Sequence, residues 1–209
     1  MELSAVLQND PRLRQPCADL TKSQLASKPQ QAEISALWAY VQKRGLKTLG
    51  QRRRPRTRPG TVGLSMNQVG ILKRICIVDL SIGKRGYNDL HVLVNPEIIW
   101  KSKTSVERIE GCVNFTTIWG KTIRSRTVKV KALDRSGNEL TMKLTGWPAI
   151  LLQHEIDHLN GRLFIDRLVD PSRADLVPEN EFADYRKNKS AWAKTIDVRA
   201  DIVADTTAK

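Results

Sequence analysis

The run Pro148-Ala149-Ile150-Leu151-Leu152-Gln153-His154-Glu155-Ile156-Asp157-His158-Leu159-Asn160-Gly161 decides the fold. It opens on a proline, which a helix tolerates at its first position, and closes on Asn-Gly, a C-terminal cap signature. Ile150, Leu151, Leu152, Ile156 and Leu159 make the helix apolar on most sides, so it is expected in the interior. Two histidines and two acids on a buried helix are costly unless something there uses them. His154 and His158 stand four apart and project from nearly one face. Such a pair can grip a metal ion, with Glu155 beside it as a base. Upstream, Glu110-Gly111-Cys112 offers a sulfur as third ligand. Three protein ligands leave a coordination position open, the mark of a catalytic rather than a structural metal. The reading is a metal-dependent hydrolase.

Outward from this helix the texture is mostly strand. Residues 74–80 carry Ile75, Ile77 and Val78 and read as a buried strand; residues 81–88 are a glycine-punctuated turn. Two strand-like pieces, 91–94 and 98–100, flank Asn95-Pro96. Residues 127–133 alternate, with Val128, Val130 and Ala132 on one face, and a turn at 134–138 leads to a second alternating run through Leu140, Met142 and Leu144, which makes an antiparallel hairpin. Leu163-Phe164-Ile165 reads as a short strand. On the N-terminal side, residues 1–20 form an extended or turning arm with prolines at 11 and 16. A helix is expected from about 30 to 43 on the stripe Ile34, Leu37, Trp38, Val41, ended by Gly45. The predicted class is α+β, with antiparallel or mixed sheets packed around a buried central helix that carries His-Glu-x-x-His. The predicted organisation is one catalytic domain over 1–170, with a basic loop at about 50–60, and a polar tail over 171–209 in which Phe182, Tyr185 and Trp192 suggest a last helix.

The 209 residues suffice for one domain with a real core. No apolar run approaches a membrane span, and the N-terminus has no secretory pattern, so a cytoplasmic protein without membrane attachment is expected. Cys17, Cys76 and Cys112 are too few and odd for a disulfide framework and fit a reducing compartment; burial alone accounts for the first two. The charge of +13, from 35 basic and 22 acidic residues, favours polyanionic neighbours. The cluster Arg52, Arg53, Arg54, Arg56, Arg58 reads first as a solvated loop and second as an RNA or phosphate contact. A third element, Val62-Gly63-Leu64-Ser65-Met66-Asn67-Gln68-Val69-Gly70, has backbone free enough to run beside a bound peptide, and its glutamine amide can donate to a developing oxyanion.

The three elements, in this order, resemble peptide deformylase. That family carries a glycine-rich segment ending in glutamine, then Glu-Gly-Cys-Leu-Ser, then His-Glu-x-Asp-His. The counterparts here are residues 63–68, Glu110-Gly111-Cys112-Val113-Asn114 and His154-Glu155-Ile156-Asp157-His158. The resemblance extends over roughly residues 5–168. This chain departs from the family pattern at Thr61, Ser65, Met66 and Asn114, and over Phe115-Thr116-Thr117-Ile118-Trp119.

The resemblance implies removal of the formyl group from N-formylmethionyl polypeptides, giving formate and a free N-terminus during bacterial protein synthesis. It implies one divalent metal per chain, ferrous iron by family habit, with zinc, nickel or cobalt also accepted, held by Cys112, His154 and His158. Glu155 would be the general base, and Gln68 with the Val113 backbone N–H would hold the oxyanion. Val62, Gly63, Glu110, Gly111 and Ile150 would line the substrate. The partners implied are nascent formyl-Met peptides and, through the basic surface, the ribosome, with no DNA. Two other readings stand beside this one: a hydrolase of another small formamide, and a catalytically weak ribosome- or RNA-binding relative. A zincin protease shares His-Glu-x-x-His but needs a different third ligand than Cys112.

Overall fold

A computed structural model of the chain describes residues 2–49, 63–81 and 89–198. The arginine cluster at 52–58, Val62 and nearly all of the expected turn at 81–88 lie outside the described residues. The chain runs α1 (Lys22–Ala26), α2 (Lys28–Leu49), β1 (Gly63–Ser65), β2 (Ile75–Asp79), β3 (Leu90–Lys101), β4 (Ser105–Cys112), β5 (Phe115–Ser125), β6 (Thr127–Leu133), β7 (Glu139–Thr145), α3 (Trp147–Leu159), β8 (Ala174–Leu176), α4 (Phe182–Lys187) and β9 (Thr195–Ile196), with short 3-10 turns between. The strands form two sheets, ordered β1-β2-β3-β6-β7 and β4-β5-β8-β9. Every strand pair in them is antiparallel. This is the α+β class expected. No helix among the described residues is long and apolar enough to cross a membrane.

The helix α3 packs against strands of both sheets. Residues Ala149 to Leu159 are all buried. Leu151, Leu152, Ile156 and Leu159 pack on Cys76, Val78 and Leu93 of β2 and β3 and on Val128, Val130 and Ala132 of β6. Each such side chain contributes about 1.5–3 kcal/mol by leaving water, enough to hold the polar residues of the same helix inside. Gly161 follows with φ 70°, and a Cβ there would fall 2.5 Å from the Arg14 carbonyl oxygen, so only glycine lets the chain turn back under the arm. That arm carries a 3-10 turn at Pro11–Arg14 and is pinned by bridges Pro16 to Asn160 and Ala18 to Lys73.

Three local readings change. The helix α2 continues through Gly45 to Leu49; an isolated glycine costs a helix only about 1 kcal/mol and need not stop it. Ile34, Leu37 and Val41 are its buried stripe, as expected. The two pieces around Asn95-Pro96 form one strand, β3, with its register shifted between Val94 and Glu97. Asn95 takes φ 51° there, its side chain bonding the Leu20 backbone on both sides, so the irregularity is a bulge inside a strand. Leu163-Phe164-Ile165 is not a strand: Phe164–Arg167 is a 3-10 turn, closed by Asp166, whose carboxylate accepts the Leu163 N–H at 2.8 Å and pairs with Arg14.

Beyond residue 171, β8 joins the second sheet against β5, and β9 follows it. Phe182 and Tyr185 of the short α4 cover Trp119 with ring centroids at 4.9 and 6.3 Å. The Trp192 indole N–H donates to the Leu176 carbonyl.

Candidate metal centre

The helical repeat sets His154 and His158 one above the other on α3, with Nε2 atoms 3.1 Å apart. The β4–β5 hairpin brings the third donor from the other sheet. Its register shifts between Gly111 and Cys112, which turns Cys112 onto the helix, with Sγ 3.3 Å from His158 Nε2. One donor atom from each of the three residues lies within 4.8 Å of the others. Tetrahedral bonding at ordinary zinc bond lengths would put nitrogens about 3.3 Å apart, and sulfur and nitrogen about 3.6 Å. A thiolate with two imidazoles suits a divalent transition metal, whereas magnesium and calcium prefer oxygen. The residues therefore fit a metal ion.

The tautomer of His154 is fixed from behind. Its Nδ1 lies 2.8 Å from Glu110 Oε2, so with a metal bound Nδ1 would keep the proton and Nε2 would offer its lone pair to the ion. Arg124 holds Glu110 in a fork, at 2.5 Å to Oε1 and 2.9 Å to Oε2, and reaches Asp157 Oδ2 at 2.7 Å. Asp157 also takes Arg167 at 2.8 Å, and Thr122 donates to Glu110 Oε1. Burial opposes the Glu110 charge, but the hydrogen bonds from His154 and Arg124 outweigh it and hold its carboxyl well below the usual range. Asp157 is lowered likewise: burial works against its charge, and the hydrogen bond from Arg167 with the Arg124 charge prevails. His158 Nδ1 is buried without a hydrogen-bond partner among the described residues.

Glu155 is buried between α3 and β1. Ser65 Oγ donates to its Oε2 at 2.7 Å, and a Cβ on Gly63 would fall 2.5 Å from its Oε1. Glycine at 63 is thus what lets the first strand pass the carboxylate. Burial pushes the Glu155 carboxyl above its ordinary range, against the His154 charge and the Ser65 hydrogen bond. Gln68 closes the other side: its Oε1 accepts the Ser65 N–H at 2.7 Å, and its Nε2 donates to Asn114 Oδ1 at 3.0 Å and to Cys112 Sγ at 3.2 Å. Asn114 in turn donates to the carbonyls of Val6 and Gln68.

The structure thus gathers Cys112, His154, His158, Glu155, Gln68 and Gly63 at one place. Val113 lies next to Cys112, half-buried against the β1–β2 core, and Ile150 is buried one turn before His154. Glu110, expected along the substrate, has both carboxylate oxygens committed to His154, Arg124 and Thr122, so it braces a ligand. Gly111 lies flat on the Trp119 ring. Sequence reasoning missed Arg124 and Arg167. The signal available was Asp157: a second acid on a buried helix demands a cation, and Arg124 sits in the facing strand. Ser65 and Asn114, noticed only as departures from a pattern, turn out to hold the Glu155 and Gln68 side chains.

The family model for polypeptide deformylase matches residues 4–174. Among curated proteins, the chain is 42% identical over 123 residues to a peptide deformylase of Thermomicrobium roseum, covering 57% of this chain and 69% of that one. It is 37% identical over 140 residues to a peptide deformylase of Brachyspira hyodysenteriae, covering 66% and 74%. Among solved structures, the Met-Ala-Ser-bound class I type b peptide deformylase of Acinetobacter baumannii superposes with a TM-score of 0.68 at 29% identity, covering 80% of this chain and 99% of that one.

Proposed function

Since the chain belongs to the polypeptide deformylase family, we propose that it hydrolyses the N-formyl group of formyl-Met polypeptides, with Cys112, His154 and His158 holding the metal on which that hydrolysis depends. The convergence of these three donors beside a buried carboxylate carries the reading. A divalent ion bound there supplies Lewis acidity, which makes water a competent nucleophile near neutral pH. Ferrous iron is our choice for the native ion, with zinc, nickel or cobalt as substitutes, since all accept this donor set.

The remaining steps belong to the side chains. Near the metal ligands β1 and β4 are both edge strands of their sheets, so an extended peptide can lie along free backbone edges. Glu155 takes the proton of the attacking water and delivers it to the departing amine nitrogen as the C–N bond breaks, leaving formate and a free N-terminus. Gln68 Nε2, aimed by Asn114, and the Val113 N–H donate to the oxygen that gains charge. Gly63 passes the substrate backbone by Glu155, and Ile150, with Val62, offers apolar surface for the methionine side chain. We assign catalysis to residues 1–170 and place the protein in the bacterial cytoplasm, where formylated chains emerge.

The deciding experiment measures formate release from formyl-Met-Ala-Ser by anaerobically prepared protein, as isolated and after reloading with iron, cobalt, nickel or zinc. Turnover that tracks metal content is the expected result; none with any metal would overturn the reading. Cys112→Ala is expected to drop the metal from about one ion per chain to well under half, since two imidazoles alone hold it weakly. Unchanged metal content would remove Cys112 from the ligand set. The charge of +13 further supports contact with the ribosome. Neutralising the five arginines at 52–58 should then weaken cosedimentation with ribosomes and flatten its salt dependence. Equal cosedimentation at low salt would leave them a solvated loop.

A further inference from the structure

The glycine before Cys112 is held from behind. Positions alternate along β4, so Glu110 faces α3 and His154 while Gly111 belongs to the opposite face of the strand. Gly111 pairs with Trp119 directly across the hairpin. The indole lies flat on it: a Cβ at 111 would fall 2.8 Å from the ring carbons Cδ2 and Cε3. The next pair is Cys112 with Phe115, so Thr116, Thr117 and Ile118 bulge out of β5 where the cysteine turns onto the helix. Glycine has the freest backbone of any residue, and a bulge beside it interrupts the ladder that would restrain it. A metal ligand that follows both needs a restraint from elsewhere.

That restraint comes from the end of the chain. β8 ties down the bulge along the outer edge of β5: Ile118 pairs with Leu176, and the Val177 N–H donates to the Thr117 carbonyl at 2.7 Å. Phe182 and Tyr185, both buried, pack on the same indole that covers Gly111. The Tyr185 hydroxyl donates at 2.7 Å to Asp175 Oδ2, and Asp175 is the residue opposite Trp119 in β8. Val177, Phe182 and Tyr185, with Ile109, Trp119 and Trp192, form a small core of their own on the back of the β4–β5 hairpin. The polypeptide deformylase model matches residues 4–174, so this cover begins where the shared part of the family ends.

We infer that residues 174–192 clamp the metal centre: they hold Trp119 on Gly111 and thereby fix Cys112, with Trp119 as a positioning residue for that ligand. The inference rests on the ligand set proposed above. The clamp supplies no donor atom. It removes the freedom that Gly111 and the bulge would leave to the sulfur, so that an ion meets three donors already arranged. The working centre thus extends past residue 170.

The test uses the full chain loaded with cobalt, which reports a bound thiolate through a sulfur-to-metal charge-transfer band. Trp119→Ala is expected to speed cobalt loss to a chelator about tenfold, the low end of what disturbing the support of a metal ligand costs, and to weaken or shift the band. Trp119→Phe, which keeps a ring over Gly111, should restore both. Ile34→Val, a truncation in the buried stripe of α2, should lower the melting temperature and leave rate and band as in the parent. Should Trp119→Ala fail to fold, Phe182→Ala keeps the indole but uncovers it, and is expected to move rate and band the same way by a smaller factor. A lowered melting temperature with rate and band unchanged, in whichever of these two variants folds, would make the tail a structural cover and overturn the clamp alone. Cobalt bound by the parent without a thiolate band would overturn the Cys112 ligand set and the clamp with it.

Discussion

Glu155→Gln is expected to lower kcat on formyl-Met-Ala-Ser by about 10³-fold, within the usual range for loss of a positioned proton carrier, with metal content unchanged. The variant isolates the proton. Glutamine has nearly the shape of glutamate, and its amide oxygen can still accept the Ser65 hydroxyl that now donates to Oε2 at 2.7 Å. The side chain is buried, so the change removes a buried charge without opening a cavity. The three donor atoms come from other residues, and the orienting bond from His154 Nδ1 goes to Glu110, so the metal has no direct reason to leave. What disappears is the one acceptor able to take a proton from water and return it to nitrogen. Steady-state kinetics beside metal analysis decide the matter: a kcat within about tenfold of the parent would remove Glu155 from the proton path, and loss of the metal would make it a structural support of the centre.

The helix that carries Glu155 was legible because its apolar residues and its polar cluster could coexist only inside a functional protein. The β6–β7 hairpin was legible because its residues alternate, inward Val128, Val130 and Ala132 against outward lysines. The β4–β5 hairpin was not, for the opposite reason. The face that β4 and β5 turn toward α3 carries Arg108, Glu110, Thr122 and Arg124, so no apolar period marks it; the last three serve the metal. The metal-ligand candidates could be named from residue type and spacing. The residues that aim them could not, because Arg124 is 33 positions from Asp157 in pattern-free sequence, and Ser65 and Asn114 differ from the family at the points where they bond Glu155 and Gln68. Local signals also misled where tertiary bonds decide: Asp166 reaching back to Leu163 bends a β-branched, aromatic run into a turn.

Arg124→Met should show how much the centre depends on that unseen layer. The guanidinium is almost wholly buried and bonds two buried carboxylates, Glu110 and Asp157. Methionine fills much of the space but removes the cation shared by both acids, leaving Glu110 with His154 and Asp157 with Arg167, a loss of about 3–5 kcal/mol when one partner of a buried pair is removed. In a protein of this size that corresponds to a melting temperature lower by roughly 6–20 °C. The pH dependence gives the cause a signature. Glu110 and Asp157 are depressed in the folded parent, so the stability they contribute is fully present above the unfolded carboxylate pKa, about 4, and is lost only as pH falls through the folded values. In the variant each acid loses one of the two partners that depress it, Glu110 keeping His154 and Asp157 keeping Arg167, and takes up a proton at higher pH than in the parent. The gap between parent and variant should therefore be widest near pH 7 and narrow toward pH 5, where the variant's acids are neutralised but the parent's are not. Denaturant unfolding of metal-free protein across that range reads the effect without the metal. A gap below about 1 kcal/mol, or one independent of pH, would mean that Arg124 fills space and no more. With metal present, the same change should weaken binding by about 10- to 100-fold, because Glu110 without its fork no longer holds the His154 ring in line.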